Sequence, residues 1–436
     1  MTPTFDDIVP RVRHVLETHR DDLAVVKPLV VNRDLNGRVR LIVPARLRSS
    51  EQAVAVLDSL AGALEAALGP HGYPARSAFL FEEDTESVSM DAPGFPLEGF
   101  VDVRVVDRLA LESDWASVAP IISRAPRRIV FYSIKGGVGR STALAASAWA
   151  LAQAGKRVLV LDLDLESPGL SSALLPPDRR PSFGIVDWLV EDLVDNAEPL
   201  LHEMVATSGL AHDGEIYVVP AHGRDPGEYI AKLGRVWMAK RNDPHRPEGW
   251  VTRLSRLIGL LEDQHNPDVV LIDARAGIDE IAAASIVGLG ADPVLLFATA
   301  DEQSWSGYRI LLQHWRTAGV AETIRERLQV VAAMVPEVDS VEYVQATREQ
   351  SYELFLDEMY DEVAPGDTAG RLWSFAESDA SAPHYPCTVR WHRMFSGLRS
   401  LRGSLDDMES RDIELVFGSL IASLARLAGP VGDTNV

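Results

Sequence analysis

Two hydrophobic rhythms alternate along the middle of the chain. Short continuous apolar runs, Ile129-Val130-Phe131-Tyr132, Val158-Leu159-Val160-Leu161 and Val269-Val270-Leu271-Ile272, are separated by stretches with helical spacing. Continuous runs of this kind read as strands buried on both faces, and strands alternating with helices imply a parallel sheet with right-handed crossovers. The segments 215–220, 293–299 and 328–334 predict further strands. Residues 143–154 suit a helix, and Trp250, Leu254, Leu257, Ile258 and Leu261 share one helical face as core. The region 128–336 is thus expected to be an α/β domain.

The flanks differ. Residues 1–122 predict a small α+β domain: a helix over 4–20, a strand over 23–31, a turn at Asn36-Gly37 and a strand over 38–44. Ser49-x-x-Gln52 predicts a capping-box start for a helix with Leu57, Leu60, Leu64 and Leu68 on one face, closed by Gly69-Pro70. Strands over 78–81 and 100–106 flank an acidic, Pro-containing loop over 82–96, and a linker over 120–128 leads onward. His14, His19 and His71 are scattered and form no metal pattern. Residues 337–436 predict a helical C-terminal region, with helices over 341–362, 389–402 and 412–427, the last presenting Leu415, Leu420, Ile421 and Leu424.

Candidate chemistry sits where the first central strand meets its helix, at Lys135-Gly136-Gly137-Val138-Gly139-Arg140-Ser141-Thr142. Strand, glycine loop, helix is the setting a phosphate-binding loop needs. Glycines let successive N–H groups turn towards phosphate oxygens, and the helix N-terminus adds unpaired N–H groups and a positive dipole end. Arg140 supplies charge, Ser141 a hydroxyl for Mg²⁺, and Thr142 addresses the α-phosphate side. At the carboxyl end of the next strand, Asp162 and Asp164 lie two apart on an extended chain and address one site. Asp273 ends a third apolar run in the Walker B manner, where a carboxylate holds Mg²⁺ through its hydration shell.

The loop departs from the general Walker A pattern, with Ile134 at its first glycine and Arg140 at its lysine. With Lys135 ahead of the paired glycines, it resembles the deviant Walker A motif of ParA/MinD-type ATPases, and more closely the KGGVGR-variant branch that carries Arg here. Glu166-x-Pro168-Gly169 also recurs in that branch. The resemblance implies a P-loop NTPase fold, a mostly parallel sheet flanked by helices, with ATP and Mg²⁺ as ligands. It implies a homodimer closed by ATP and opened by slow hydrolysis, which controls an unidentified protein partner. Asp164 would orient the attacking water, Arg140 would meet phosphate charge, and Lys135 would reach across a two-fold interface. Ser141, Asp162 and Asp273 would serve the metal. The occurrence of this branch suggests a bacterial defence or regulatory setting.

Three departures qualify these expectations. Arg275 stands where the family usually has prolines after the Walker B aspartate. The strand over 328–334 runs into Val335-Pro336 without the Asn that commonly reads adenine, so ATP is the default and GTP stays open. A guanidinium is not interchangeable with a compact ammonium, so Arg140 keeps alive the alternative of a nucleotide-dependent interaction protein with negligible hydrolysis. The resemblance leaves a ParA-like positioning ATPase as a further alternative, one that would need a basic DNA-binding surface.

Composition narrows the partners. Lys plus Arg number 42 against 64 Asp plus Glu in 436 residues, a net charge of −22, which disfavours broad adhesion to nucleic acid or anionic lipid. The local exception, 229–246, carries Lys232, Arg235, Lys240, Arg241 and Arg246 around Trp237, and reads as a solvated face or protein contact before a nucleic-acid site. Cys387 is the only cysteine, which excludes an intrachain disulfide and a multi-thiolate metal centre and agrees with a reducing cytoplasm. No uninterrupted apolar stretch approaches spanning length, and Arg426 is the only cation near the end of the last helix, so a cytoplasmic chain without a membrane role is expected.

Overall fold

A computed structural model describes residues 3–90, 94–108, 114–122, 126–210, 213–241, 247–362, 372–395 and 410–427. The chain divides into two compact units, Met1–Ala116 with Thr317–Val320, and Ser117–Arg316 with Ala321–Val436.

In the first unit, α1 (Ile8–Thr18), β1 (Leu29–Arg33), β2 (Val39–Pro44), α2 (Glu51–Leu68), β3 (Phe79–Glu82), β4 (Gly94–Pro96) and β5 (Val103–Asp107) follow in order. The sheet runs β3-β2-β1-β5-β4, with β1 antiparallel to β2 and parallel to β5. Its core joins Ile8, Val12 and Leu16 of α1 and Leu57, Leu60, Leu64 and Leu68 of α2 to Val31, Leu41 and Val105. By length and composition alone α2 could cross a membrane, but those leucines are buried in this core. Three local expectations shift. Leu23–Val26 is a helical turn, and the strand begins only at Leu29, past Pro28, which cannot extend a helix. The cap of α2 is Ser50, whose side chain accepts from the Ala53 N–H at 3.3 Å, one residue later than expected. The segment 82–96 holds a short helix, Thr85–Met90, and the edge strand β4.

The second unit contains β6 (Arg127–Ser133), α3 (Arg140–Gln153), β7 (Arg157–Asp162), α4 (Ile185–Asp192), β8 (Ala206–Thr207), β9 (Glu215–Val219), α5 (Tyr229–Val236) and α6 (Trp250–His265). It continues with β10 (Val269–Asp273), β11 (Val294–Ala298), α7 (Glu302–Thr317), β12 (Leu328–Val335), α8 (Ser340–Glu358), β13 (Cys387–Arg390) and α9 (Ser410–Leu427). The sheet order is β13-β12-β11-β6-β10-β7-β9-β8, parallel throughout except for β8. The chain passes from β6 over β10's position to β7, out to β8 and β9, back to β10, and then across β6 to β11 on the other side. That reversal beside β6 opens a crevice at the carboxyl ends of the strands, where α/β sheets place ligands. This is the expected mostly parallel P-loop architecture.

Helix α3 lies against β6, β7 and β10, and the small Ala143, Ala145, Ala146 and Ala148 are all buried there. The expected core face of α6 is also buried, from Trp250 to Leu261. The C-terminal region departs from expectation. A helix over 389–402 is contradicted at its start, where Cys387–Arg390 pairs parallel with β12 as the edge strand, while 396–402 lies outside the described residues. Val389 therefore reaches the core as a strand residue. Helix α9 packs on α3 and β13 through Ile413, Val416, Phe417, Leu420 and Leu424, while Leu415, expected on this face, is 60% exposed.

The basic segment is partly neutralised. Lys232 pairs with Asp187 at 2.6 Å, and Lys240 is buried against Asp192 at 3.0 Å and Asp195 at 2.6 Å. Arg246 lies outside the described residues.

Candidate nucleotide-binding site

The glycine loop owes its shape to residues that tolerate left-handed backbone. Gly137 and Gly139 have φ of 76° and 80°, a region that favours glycine, and Gly139 caps α3. Val138 between them is buried in the core and anchors the loop. The loop therefore presents its backbone to the crevice, and Gly136 through Thr142 all line one cavity of about 610 Å³.

Three carboxylates meet this loop. Asp162 and Asp273 are register partners on adjacent parallel strands, and the Leu163 N–H donates to the Asp273 carbonyl at 3.1 Å. Asp162 is fully buried; its carboxylate makes no hydrogen bond of good geometry, and only the nearby backbone N–H groups of Ser171 and Asp164 favour its charge. Burial, reinforced by the neighbouring charges of Asp273 and Asp164, pushes its carboxyl up to about 8. Asp164 is also held above the usual carboxylate range by burial, while the Ser167 hydroxyl donates to it at 3.0 Å.

Arg140 occupies the centre of this acid group. Its Nε–H donates to Asp273 Oδ1 at 2.7 Å, its Nη1 donates to the Ser133 hydroxyl at 3.2 Å, and its Nη2 stands 3.7 Å from Asp164. Burial disfavours the charged guanidinium, but Asp273, then Asp164 and Asp162, outweigh it and hold the group above its ordinary value. Ser133 as a partner of Arg140 has no signal in the sequence; it becomes one because the last residue of β6 faces the first of α3.

The loops beyond the strands are tied together. Arg275 pairs with Glu166 at 2.5 Å and with Asp279 at 3.1 Å, linking the segment after β10 to the segment after β7. The Tyr229 hydroxyl donates to the Leu165 carbonyl at 2.6 Å, which seats α5 on the same segment. Gly277 donates its N–H to the Ser133 carbonyl at 3.0 Å and accepts from the Tyr132 hydroxyl at 3.0 Å. Lys135 stands apart: its ammonium lies 3.6 Å from Asp301, and both side chains are about 40% exposed. Among the described residues it does not line the cavity.

The far wall of the cavity was not anticipated. Met334 near the end of β12, and Val389, Arg390, Trp391, His392, Phe395 and Phe417 from the C-terminal region, face the loop. Parallel pairing of β13 with β12 brings Trp391 there, and its N–H donates to the Val335 carbonyl at 2.8 Å. Met334 has a φ of 57°, unusual for a non-glycine residue, at the register shift between β12 and β13.

A glycine loop, carboxylates at the carboxyl ends of parallel strands and an adjoining cavity define a nucleotide-binding domain. The model for the CobQ/CobB/MinD/ParA nucleotide binding domain matches residues 129–410, and the chain belongs to that family. No curated protein matches the chain. Solved structures similar to it include a ParA family ATPase from Chlorobium tepidum TLS, at 17% identity and a TM-score of 0.44 over 69% of this chain and 99% of that one. The MinD cell division protein of Aquifex aeolicus is similar at 17% identity and a TM-score of 0.41, over 70% of this chain and 99% of its own. The septum site-determining protein MinD of Pyrococcus horikoshii OT3, complexed with Mg-ADP, is similar at 19% identity and a TM-score of 0.42, over 70% and 97%.

Proposed function

We propose that the chain binds Mg²⁺-ATP on the loop Gly136–Thr142 and hydrolyses it slowly, as a nucleotide-switched dimer that controls a protein partner in the cytoplasm. The observation that carries this reading is the convergence on one cavity of the glycine loop, Asp164 and Asp273, with Asp162 beside Asp273 in register. The loop's N–H groups and the start of α3 would take the phosphates. The poorly satisfied buried carboxylate of Asp162 fits a magnesium site better than a closed core, with Ser141 and Asp273 as the other candidates to hold the ion. When bound, the ion would offset phosphate charge. Asp164, largely buried and braced by Ser167, would orient the attacking water at the edge of the loop. The deviant Walker A assignment, with Lys135 serving a second copy, belongs to the same proposal. A bacterial defence or regulatory setting is proposed from the motif resemblance alone.

Phosphoryl transfer is catalysed mainly by positioning and charge stabilisation. The Asp164→Ala variant should therefore bind ATP about as tightly as the parent and release phosphate on the order of 10²–10⁴-fold more slowly. Calorimetry with ATP and Mg²⁺ tests binding, and phosphate release tests turnover. Unchanged phosphate release removes Asp164 from its role, and no binding heat with the parent ends the nucleotide reading.

A second reading is favoured by one contact. Arg140 is engaged by Asp273 at 2.7 Å, so phosphate must compete with a buried ion pair. If that pair survives nucleotide binding, the protein is a nucleotide-dependent interaction module with negligible turnover. Binding without phosphate release by the parent, with partner present, selects this reading.

A further inference from the structure

The cavity has two ends with different chemistry. One is the glycine loop with Asp164 and Asp273, suited to phosphates and a cation. The other is formed by Met334, Trp391, His392, Phe395 and Phe417, together with Arg390, which also borders a smaller cavity beside Thr388 and Tyr385. The second begins immediately beside the first, since a side chain built on Gly139 would stand 3.5 Å from the Met334 sulfur. With the phosphates on the loop, the base of a nucleotide has this aromatic end to occupy.

The wall is firm enough to stack on. Phe395 and Phe417 meet edge to face at 5.0 Å, and Phe417 belongs to the core face of α9. Trp391 is tied to β12 through its backbone N–H and is 41% exposed, leaving indole surface for a ring. Stacking of this kind tolerates any purine, because every base has a π-face.

The polar side chains on the wall are donors. The Met394 N–H donates to His392 Nδ1 at 3.4 Å, which leaves the other ring nitrogen to carry the hydrogen. The Trp391 indole nitrogen donates only, and so does the Arg390 guanidinium. Guanine offers O6 and N7 to such groups along one edge; adenine offers N7 there, and N1 on its other edge, but places a donor, its amino group, where O6 would be. The strand end Met334-Val335-Pro336 carries no Asn, and Met334, which lines the cavity there, has a thioether that is at most a weak acceptor.

We propose that this wall holds purines by stacking and does not select adenine, so that the site takes GTP at least as well as ATP. The proposal rests on the nucleotide reading above and names its substrate class. A site that does not match a base's own donor has little means of rejecting its competitor.

The test is calorimetry on the full chain with Mg²⁺ and ATP, GTP or inorganic triphosphate. GTP should bind as tightly as ATP or more tightly. Trp391→Ala should weaken both nucleotides roughly tenfold and leave inorganic triphosphate unchanged, and Trp391→Phe should restore both. Arg390→Ala should move the GTP-to-ATP affinity ratio at least about fivefold towards ATP, a ratio that partial misfolding would not change. ATP binding more than tenfold tighter than GTP overturns the proposal while leaving the phosphate site intact. Equal loss of triphosphate and nucleotides in Trp391→Ala also overturns it. Failure of all three compounds to bind the parent overturns the nucleotide reading and this one together.

Discussion

Arg140, the cation of the glycine loop, donates its Nε–H to Asp273, the carboxylate that ends β10, at 2.7 Å. Both side chains are nearly excluded from solvent, Asp164 stands 3.7 Å from the same guanidinium, and the Asp162 carboxyl beside them is pushed up to about 8. One guanidinium thus serves a group of three carboxyls, of which Asp273 is its direct partner. Removing one partner of a buried pair costs far more than the pair contributes, because the other charge is left unmatched.

Arg140→Ala should accordingly destabilise the protein by about 3–5 kcal/mol in urea titration. Arg140→Lys should recover part of that loss, since an ammonium keeps the charge but not the fork of donors. Millimolar Mg²⁺ should raise the melting temperature of the alanine variant more than that of the parent, by binding the freed carboxylates. An alanine variant as stable as the parent and indifferent to Mg²⁺ would show that the acids are already neutral.

A second acid with several partners lies away from the cavity. Asp192 accepts from Lys240 at 3.0 Å, Arg253 at 2.7 Å and Arg256 at 2.9 Å, and Arg253 is fully buried. Arg253 also donates to the Met238 carbonyl at 2.7 Å and to that of Leu189, so it cannot swing out to water. Asp192→Ala should lower stability by about 3–5 kcal/mol while nucleotide affinity of the folded fraction stays unchanged. A loss below about 1 kcal/mol, the scale of exposed pairs, would mean that Asp195 and Glu248 take over the cations.

Much of the site was legible before any fold was drawn. Glycines at 137 and 139 are demanded by left-handed backbone, and Asp162, Asp164 and Asp273 fall at or just beyond the carboxyl ends of β7 and β10 because apolar runs stop there. These are local signals. The partner of Arg140 was not legible, since a guanidinium beside a glycine loop suits a phosphate as well as a carboxylate. Nor was the wall: Trp391 and Phe417 lie some 250 residues or more from the loop, and only the pairing of β13 with β12 and the packing of α9 on α3 bring them there. The run Cys387–Arg390 is too short to separate strand from helix by period, so the edge strand was missed. Likewise Leu23–Val26 is apolar enough for a strand, and Pro28 alone marks where the backbone changes.

A pH dependence should come from His384. It is fully buried, its Nδ1 faces the Tyr360 hydroxyl at 2.5 Å and its Nε2 the Glu377 carbonyl at 3.0 Å, a pattern for the neutral ring. Burial holds its pKa below the ordinary histidine value. The unfolded chain therefore binds more protons than the folded one between the depressed pKa and about 6.5, and stability falls as pH falls through that window. The His384 contribution to the urea midpoint should fall from pH 7 to pH 5, against an opposite contribution from Asp162, whose raised carboxyl is protonated in the folded chain and ionised in the unfolded one. The difference between the parent and His384→Gln midpoints should therefore shrink as pH falls, and a difference independent of pH would remove His384 from this role.

The last prediction concerns Lys135. An ordinary phosphate loop uses one cation, and Arg140 already stands inside the site, 7% exposed. Lys135 does not line the cavity and instead rests 3.6 Å from Asp301, whose carboxylate is held below its usual range, against burial, by the Thr299 hydroxyl and the Ser304 N–H. An exposed pair of this kind contributes about 0–1 kcal/mol, too little to keep the ammonium from a triphosphate carried by a second copy. Two-fold symmetry would make such a contact reciprocal, and the γ-phosphate would then favour the dimer alone. Light scattering on the Asp164→Ala variant should show a dimer with ATP and a monomer with ADP. Adding Lys135→Ala should abolish the dimer without lowering ATP affinity in the monomer by more than about tenfold, whereas Asp301→Asn should leave the dimer in place. A dimer that ignores Lys135, or a monomer under every nucleotide, would sink the cross-subunit role and leave Lys135 as a partner of Asp301 only.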